Sequence, residues 1–334
     1  MSRRTLVIAV VALVAFAGAA ALVVADGGDG DKGAQHSASD RWTALRPALL
    51  SRTEVAAARV GRYVYVVGGF ERTSGATTAA VERYDIRRDR WRRVRSMPTG
   101  LNHPAATSYR GKIYVVGGYT GRGDLRGEVS SLYRYDPARD RWSRLPNAPT
   151  RRAALAVGAI GGRLYAAGGA NTADGALATL EIYDIARRRW SRGPSMAKAR
   201  EHLAGAVAGG AFYVLAGRVT GQGNFKVAER YLPNARRWEA LPDMRKPRGG
   251  IGAAAVGRRV VVAGGEEAAG TIGEVEVYDP ATRRWSRLPV MSTPRHGLGV
   301  VSRGRRIYTI EGGPTPGFDF ANTIEFLEIN ADRP

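Results

Sequence analysis

Two neighbouring stretches of sequence decide the fold: GKIYVVGGYTGRG at residues 111–123 and LYRYDPARDRWSRLP at residues 132–146. The first is a β-branched apolar run that ends in a glycine doublet. The second is an alternating run that leads through Tyr-Asp to a tryptophan. Alternation with a period of two, bounded by glycine and turn residues, is typical of short antiparallel strands. These stretches therefore predict a small antiparallel sheet.

The same pattern recurs along the chain at fixed offsets. A glycine lies 27 residues after each of six tryptophans, and a tyrosine lies seven residues before five of them. Phe326 is expected to take the place of the sixth tyrosine. The tryptophans are Trp42, Trp91, Trp142, Trp190, Trp238 and Trp285; the glycines are Gly69, Gly118, Gly169, Gly217, Gly265 and Gly312; the tyrosines are Tyr84, Tyr135, Tyr183, Tyr231 and Tyr278. Constant offsets of this kind indicate a repeat architecture.

Each repeat contains four strand-like segments, and a lone sheet cannot bury both of its faces. Stacking the sheets around an axis buries them. We therefore predict an all-β, six-bladed β-propeller with four antiparallel strands per blade, covering residues 41–331. The chain begins with a tryptophan segment at residues 41–45 and ends without one. The N-terminal strand is thus expected to complete the last blade beside residues 324–327, and the tryptophans and tyrosines to pack between blades.

The glycine doublet, the Tyr-Asp pair and the tryptophan together resemble the Kelch repeat. The resemblance covers residues 41–331 and implies a β-propeller with one repeat per blade. The first glycine of the doublet is replaced by Ala216 and Glu311, whereas the second is glycine six times. The second position is therefore expected to need a positive φ or a close backbone approach.

The first 40 residues are expected to be a targeting segment followed by a linker. Arg3 and Arg4 precede 21 uncharged residues, 5–25. This pattern predicts a signal peptide or an N-terminal membrane anchor at residues 1–25. Residues 26–40 are predicted to be a flexible linker. In both cases the rest of the chain is expected outside the membrane, either anchored or secreted. The chain has no cysteine, which excludes a lipoprotein anchor.

The best candidate ligand site lies ten residues after each tryptophan. Five of these six positions are arginine, and the sixth is Leu101: the arginines are Arg52, Arg152, Arg200, Arg248 and Arg295. Their segments connect a fourth strand to the next first strand. They share a face with the loops between the glycine doublet and the tyrosine position, which vary in length. We call this the variable-loop face.

The Kelch resemblance implies that matching positions line a ligand pocket on this face. Arginine suits an acidic ligand because its planar fork binds carboxylates and phosphates. The alternative interpretation is structural: the arginine bonds loop carbonyls in every repeat.

His103, His202 and Glu201 are further candidate ligand-binding residues, because they neighbour the arginine positions in sequence. His296 is one residue out of register with the other two histidines and is expected to face the opposite way. We therefore predict no metal site. Glu201 and His202, with Arg200, are the residues that could supply acid–base groups to a bound anion.

The residue before each tryptophan is arginine in all six repeats. These basic turns are expected on the face opposite the variable loops. One interpretation is a solvated edge strand protected by charge. The other is contact with an anionic membrane surface, which a retained anchor would hold nearby.

The net charge of +21 has two interpretations: a base-composition bias of the coding DNA that enriches arginine, alanine and glycine together, or anionic partners. The leading hypothesis is an extracytoplasmic binding module, a monomer, that recognises an acidic ligand, peptide or glycan, or a protein partner, at the variable-loop face. The alternative is a carbohydrate-active enzyme such as a sialic acid-type mutarotase. Copper radical chemistry of the galactose oxidase type requires a cysteine and is excluded. No catalytic residue and no cofactor is assigned, and nucleic acid is not an expected partner.

Overall fold

The structure, a computed structural model, describes residues 41–329. Short strands joined by turns make up this part of the chain. In order they are β1 (Thr43–Ala44), β2 (Arg52–Thr53), β3 (Ala56–Val60), β4 (Tyr63–Val67), β5 (Phe70–Glu71), β6 (Ala76–Thr77), β7 (Val81–Asp85), β8 (Arg90–Val94), β9 (Ala105–Tyr109), β10 (Lys112–Val116), β11 (Leu132–Asp136), β12 (Arg141–Leu145), β13 (Ala156–Ile160), β14 (Arg163–Ala167), β15 (Ala170–Asn171), β16 (Gly175–Ala176), β17 (Leu180–Asp184), β18 (Arg189–Arg192), β19 (Ala204–Ala208), β20 (Ala211–Leu215), β21 (Arg218–Val219), β22 (Gly223–Asn224), β23 (Ala228–Leu232), β24 (Arg237–Ala240), β25 (Gly252–Val256), β26 (Arg259–Ala263), β27 (Glu266–Glu267), β28 (Gly270–Thr271), β29 (Val275–Asp279), β30 (Arg284–Leu288), β31 (Gly299–Arg303), β32 (Arg306–Gly312) and β33 (Ala321–Glu328).

The all-β class is confirmed, but the prediction of six four-stranded blades is wrong. The described residues contain five four-stranded antiparallel sheets: β3-β4-β7-β8, β9-β10-β11-β12, β13-β14-β17-β18, β19-β20-β23-β24 and β25-β26-β29-β30. The strands expected to form a sixth blade, β31, β32, β33 and β1, belong instead to a seven-stranded sheet that also contains β2, β5 and β6.

The length of β33 explains this larger sheet. β33 has eight residues, and its first residue, Ala321, reaches the variable-loop side and pairs with Arg52 of β2. β2 pairs with β5, and β5 pairs with β6. In three of the other repeats the matching hairpin forms a separate two-stranded sheet, for example β21-β22. The sequence repeats are therefore alike, but the sheets that they form are not.

The innermost strands of the sheets surround a central channel. β3, β9, β13, β19, β25 and β31 contact one another in a closed cycle. They line a cavity of about 260 Å³ with small side chains such as Ala57, Gly158 and Ala254. Adding a Cβ to Gly158 would bring it to 2.7 Å from Phe212 and Val207. Small residues are thus required where the inner strands converge.

Every tryptophan joins its own sheet to the preceding part of the ring. Each indole Nε1–H donates a hydrogen bond of 2.7–2.9 Å to a backbone carbonyl just beyond the preceding tryptophan strand. Five tryptophans also stack on their tyrosines, with ring centroids 4.9–5.3 Å apart. The predicted role of these aromatic residues in packing between sheets is confirmed.

The segment of Trp42 and β1 joins the beginning of the described chain to its last strands. The Trp42 indole donates to Pro289 O at 2.8 Å, across 247 residues of sequence. The adjoining β1 pairs with β33, with Thr43 opposite Phe326 and Ala44 opposite Glu325. This pairing of the terminal strands is the one that the sequence led us to expect.

The assignment of Phe326 to the sixth tyrosine position is wrong by one residue. Leu327 pairs with Ile307, as Tyr84 pairs with Val64 in the first repeat. Leu327 is buried, whereas Phe326 lies under the Arg306 guanidinium. We assigned Phe326 to the sixth tyrosine position because its side chain is aromatic, and that criterion was misleading. The pairing of β32 with β33 also shifts register between Ile310 and Gly312.

The two glycine positions of the doublet differ in backbone conformation. The first position has φ between 49° and 74°, which is the left-handed region that Ala216 and Glu311 can also adopt. The second has φ between 91° and 114°, and a Cβ there would approach a backbone carbonyl to 2.5–3.0 Å. The expectation that the second position demands glycine is confirmed.

The predicted leader at residues 1–25 and linker at residues 26–40 lie outside the described residues. Among residues 41–329, no helix has the length and apolar character needed to cross a membrane.

We predict that Trp42→Ala lowers the free energy of unfolding by about 3 kcal/mol, because it removes a partly buried indole and leaves Pro289 O without its donor. Trp42→Phe keeps the ring and should cost about 1 kcal/mol. Urea denaturation of the full chain measures both. An unchanged midpoint in Trp42→Ala would show that the terminal strands do not stabilise the ring.

We predict that Gly217→Ala lowers the free energy of unfolding by at least about 2 kcal/mol. The new Cβ would sit at φ 96° and 2.8 Å from Glu201 O. The adjacent Ala216→Gly is the matched control. Its φ of 49° is accessible to both residues, so the change should stay below about 1 kcal/mol. Equal losses in the two variants would contradict the distinction.

Candidate functional site

The connections from outer to inner strands meet at one mouth of the channel. One residue from each of six connections joins a closed ring of backbone hydrogen bonds. His103 N–H donates to Glu54 O, Ala154 N–H to His103 O, and so on around the axis, at 2.8–3.2 Å. The ring residues, all with φ between 51° and 67°, are Glu54, His103, Ala154, His202, Gly250 and Gly297; the last link runs from Val55 N–H to Gly297 O.

The five predicted arginines lie two residues before this ring, and all are buried. Each guanidinium forms an ion pair with a buried glutamate on the third strand of its own repeat. The pairs are Arg52–Glu82 (2.9 Å), Arg152–Glu181 (3.0 Å), Arg200–Glu229 (2.7 Å), Arg248–Glu276 (2.6 Å) and Arg295–Glu325 (2.8 Å).

Backbone carbonyls accept further guanidinium hydrogens, whereas the Nε atoms of Arg52, Arg152, Arg200 and Arg248 have no hydrogen-bond partner. In four of the five cases, Nη1 donates to the carbonyl of the first doublet position, for example Gly168 O at 3.0 Å and Gly264 O at 3.1 Å. These are the contacts of the structural alternative. Ligand binding by the five arginines stays a prediction, but their charges are already neutralised by glutamates within the chain.

The glutamate partners are residues that our sequence analysis missed. They lie two residues before the tyrosine position, and a sequence signal for them exists. The one repeat with Leu101 in place of arginine carries Tyr133 in place of glutamate. Arginine and glutamate thus appear and disappear together among the repeats, as expected when each charge is buried against the other.

Arg52 is unusual because it serves two carboxylates. Its Nη2 lies 2.9 Å from Glu82 Oε2 and 3.0 Å from Glu311 Oε1. Burial raises the pKa of Glu311 to about 8; Arg52 opposes that rise, and the neighbouring Glu82 adds to it. Burial also raises the pKa of Glu82. One cation therefore stabilises two buried carboxyl groups incompletely.

A second cluster of titratable residues occupies the mouth itself. Glu54 Oε2 lies 3.1 Å from His103 Nε2, and the rings of His103 and His202 are 4.7 Å apart. One ligand atom from each of Glu54, His103 and His202 falls within 4.8 Å of the others. These are the residues at the mouth that could hold a metal ion. They border a cavity of about 90 Å³.

Burial controls the charge of this cluster. It lowers the pKa of His103, which the Glu54 carboxylate partly offsets. It also holds the pKa of His202 well below its ordinary value, with help from Arg218. Both rings are accordingly neutral near pH 7.

Glu201 and His296 lie around the edge of the cluster. Glu201 contacts His202 Nδ1 and Arg218 Nε, so it faces away from Arg200, whose Nη1 contacts Glu229. We had expected His296 to face away from the other two histidines, and this expectation is wrong. His296 Nε2 lies 3.5 Å from Glu54 Oε1. His296 lies in an isolated bridge with Gly313 rather than in a strand, so strand alternation does not apply to it.

The variable loops rise around this mouth and carry exposed apolar side chains. Phe318 is 51% exposed although its ring packs on both Phe70 and Phe320. Leu125 is 50% exposed on the loop of residues 120–127. That loop bonds the β5–β6 hairpin through Arg122 O and Thr77 N–H at 2.8 Å.

The family of the chain is shown by comparison with family models. The model of the KLHDC2/KLHL20/DRC7 Kelch-repeats domain matches residues 54–244, more than half of the chain, and the Kelch motif matches residues 247–292. This chain belongs to the Kelch-repeat family. Kelch-repeat domains typically mediate protein–protein interactions.

Individual relatives match only part of the Kelch domain. The chain is similar to Kelch-like protein 34 of Homo sapiens, with 33% identity over 37% of this chain and 20% of that protein. It is similar to Kelch-like protein terF of Aspergillus terreus, with 34% identity over 34% of this chain and 26% of that protein. Beta-scruin of Limulus polyphemus shares 32% identity over 34% of this chain and 12% of that protein. The matches therefore span about a quarter or less of these relatives.

The basic turns of this Kelch domain lie between the third and fourth strands. The arginine before each tryptophan is exposed in all six repeats. Neighbouring turn arginines such as Arg87, Arg188 and Arg236 are exposed as well. These exposed arginines form the basic surface that the sequence predicted. Its contact with an anionic membrane stays a prediction.

We predict that the stability of the wild-type chain falls as the pH rises from about 4.5 towards 8. In this window the folded state keeps a proton on Glu311 that the unfolded state has lost, at a cost of up to about 1.4 kcal/mol per pH unit. Glu311→Gln should remove much of this loss, so the variant is the more stable protein at pH 9 and differs less at pH 5.

Urea denaturation at the two pH values measures the effect. Glu328→Gln is the control, because Arg306 and Arg305 hold the pKa of the Glu328 carboxyl below its ordinary value. That carboxyl is ionised throughout the range and should not alter the difference between pH 5 and pH 9. A Glu311→Gln variant with the pH dependence of the wild type would refute the assignment.

Proposed function

We propose that this Kelch domain is a binding module that recognises an acidic segment of a protein partner at the variable-loop face. The observation that carries the proposal is the pair of half-exposed apolar side chains, Phe318 and Leu125, on loops that flank the same hairpin. Apolar anchors surrounded by polar groups are typical of protein interaction sites.

Phe318 is suited to be the main anchor. Its ring is held by Phe70 at 4.9 Å and by Phe320 at 4.8 Å between centroids, so little side-chain freedom is lost on binding. A Cβ on Gly75, in the turn between β5 and β6, would lie 4.0 Å from the Phe318 ring. The anchor therefore borders the first hairpin.

Leu125 approaches the same hairpin from the other side. A Cβ on Gly123 of its loop would lie 3.4 Å from Gly75 O. The Thr77 hydroxyl bonds Gly121 O, which fixes the base of this loop on β6. The two apolar residues thus lie on either side of one fixed turn.

Exposed arginines on these loops supply the acidic specificity. Arg72 and Arg122 are exposed, and Arg126 meets Asp124 only at 4.0 Å with its side chain 87% exposed. The five buried arginines are already paired with glutamates and bring no free charge to this face. An arginine fork on the surface can still bind a carboxylate of the partner.

We propose the location from the sequence: the 21 uncharged residues 5–25 export the chain, so the partner is met outside the membrane. An acidic glycan shares the carboxylate chemistry of an acidic peptide but offers less apolar surface to Phe318. The experiment therefore includes both.

Selection of a random displayed peptide library on the untagged full chain tests the proposal. We expect enrichment of peptides that combine acidic residues with an aromatic or aliphatic residue. Phe318→Ser and Arg122→Glu should each weaken the best peptide by at least about tenfold. Val290→Ser is the matched control: Val290 is 58% exposed but follows the outer strand β30. Arg188→Glu controls for net charge.

Two results would contradict the proposal. One is a selected peptide whose affinity is the same in Phe318→Ser and Arg122→Glu as in the wild type. The other is binding of an acidic oligosaccharide, but of no peptide, that survives Phe318→Ser.

A further inference from the structure

The cluster at the channel mouth brings together three electron-pair donors that have no proton to share. Asn102 Nδ2 donates to Thr77 Oγ1 at 2.7 Å, which leaves Asn102 Oδ1 as the atom 2.7 Å from His103 Nδ1. An amide oxygen only accepts hydrogen bonds, so His103 Nδ1 carries the proton. The lone pair of the neutral ring is then on Nε2, 3.1 Å from Glu54 Oε2.

His202 also has one ring nitrogen against a polar group. Its Nδ1 contacts the Glu201 carboxylate, which is itself held by Arg218. We therefore assign Nε2 as the donor atom of His202 at the mouth. A carboxylate or carbonyl partner on the far nitrogen of a histidine fixes the tautomer and directs the free nitrogen at a metal. His103 has such a partner in Asn102 Oδ1.

The backbone at these residues is also unusual. Glu54, His103 and His202 have φ of 54°, 51° and 52°, at a position where two other repeats use Gly250 and Gly297. A left-handed conformation costs about 1–2 kcal/mol in a residue with a side chain. Ala154 has φ of 53° at the same position in a further repeat, so the ring tolerates the conformation in several residue types, and three of the six positions use it to present a side chain that can bind a metal.

We infer that Glu54, His103 and His202 form a three-ligand site for a divalent transition metal ion such as Zn²⁺ at the mouth of the channel. Their donor atoms lie within 4.8 Å of one another. Tetrahedral ligands about 2.0–2.2 Å from an ion are about 3.3 Å apart, so side-chain adjustment of about an ångström completes the site. A metal ion replaces the unfavourable approach of Nε2 and Oε2 by two bonds.

The rest of the mouth suits an open fourth position. The cavity beside the ligands has a volume of about 90 Å³ and is lined partly by Ala154, Gly250 and Gly297, which have no polar side chain. A set of two histidines and one glutamate with a free coordination position is the arrangement of zinc sites that bind water or a ligand.

Other charged groups around the site accommodate a cation. His296 Nε2 lies 3.5 Å from Glu54 Oε1 and 3.7 Å from Glu266 Oε2. Arg218 pairs with both Glu201 and Glu266. Within the described part of the mouth, three carboxylates thus face one guanidinium and three imidazoles. Imidazole and carboxylate ligands favour Zn²⁺, Ni²⁺ and Cu²⁺ over Mg²⁺ and Ca²⁺.

The test is a Zn²⁺ titration of the untagged full chain after dialysis against a chelator, followed by calorimetry. We expect one Zn²⁺ per chain and no comparable binding of Mg²⁺. Glu54→Gln is isosteric and should weaken Zn²⁺ binding by more than about 100-fold; Asn102→Ala, which removes the partner of His103 Nδ1, should weaken it by about 10- to 100-fold. Substitution by Co²⁺ should give the absorption spectrum of a tetrahedral site.

His36→Gln is the matched control, because it removes a histidine that is not one of the three ligands. Circular dichroism without metal checks the fold of each variant, and His202→Gln replaces Glu54→Gln if that variant does not fold. The inference is overturned if no Zn²⁺ binds at stoichiometric concentration, or if Glu54→Gln and His202→Gln bind it as tightly as the wild type. Peptide selection at Phe318 is unaffected by either outcome.

Discussion

The fold depends on one hydrogen bond made six times: an indole N–H donates to a carbonyl of the preceding part of the ring. In five of the six cases the tryptophan that donates the bond also packs its ring against a tyrosine of its own sheet. Apolar burial and hydrogen bonding therefore act at the same point of contact. Five of these bonds join successive repeats. The sixth, from Trp42 to Pro289, joins the sheet that contains β1 to the preceding four-stranded sheet and leaves the ring without a break.

Much of this fold could be predicted because tryptophan, glycine and tyrosine recur at constant spacings in the repeats. The strands follow from period-two alternation, the inter-sheet contacts from the tryptophans, and the glycine requirement from a position that tolerates no substitution in six repeats. The number of equal sheets could not be predicted in the same way. Whether β33 joins the first hairpin, β5-β6, through β2 depends on a single added pair, Arg52 with Ala321, and no local pattern encodes it. Leu327 was missed because Phe326 looked more like the missing tyrosine.

The sequence predicted which residues lie at the candidate site better than it predicted what surrounds their side chains. The positions of the five arginines were found, but their environment was not, since ten residues after a tryptophan says nothing about what faces the side chain. The paired loss of arginine and glutamate in the second repeat held that information. His103 and His202 were singled out correctly as neighbours of the mouth. Their relation to Glu54 was not, because it depends on a left-handed backbone turn that brings three repeats together at the axis.

The union of β33 with β2 has a consequence for the order of events during synthesis. Glu54 follows Arg52 by two residues, and Arg52 pairs with Ala321, which is synthesised after all five four-stranded sheets. The backbone circle at the mouth also needs Gly297 to accept the amide of Val55. The backbone circle at the mouth is therefore closed only after the last described repeat has been synthesised. A ligand that needs the closed circle can bind only after that point.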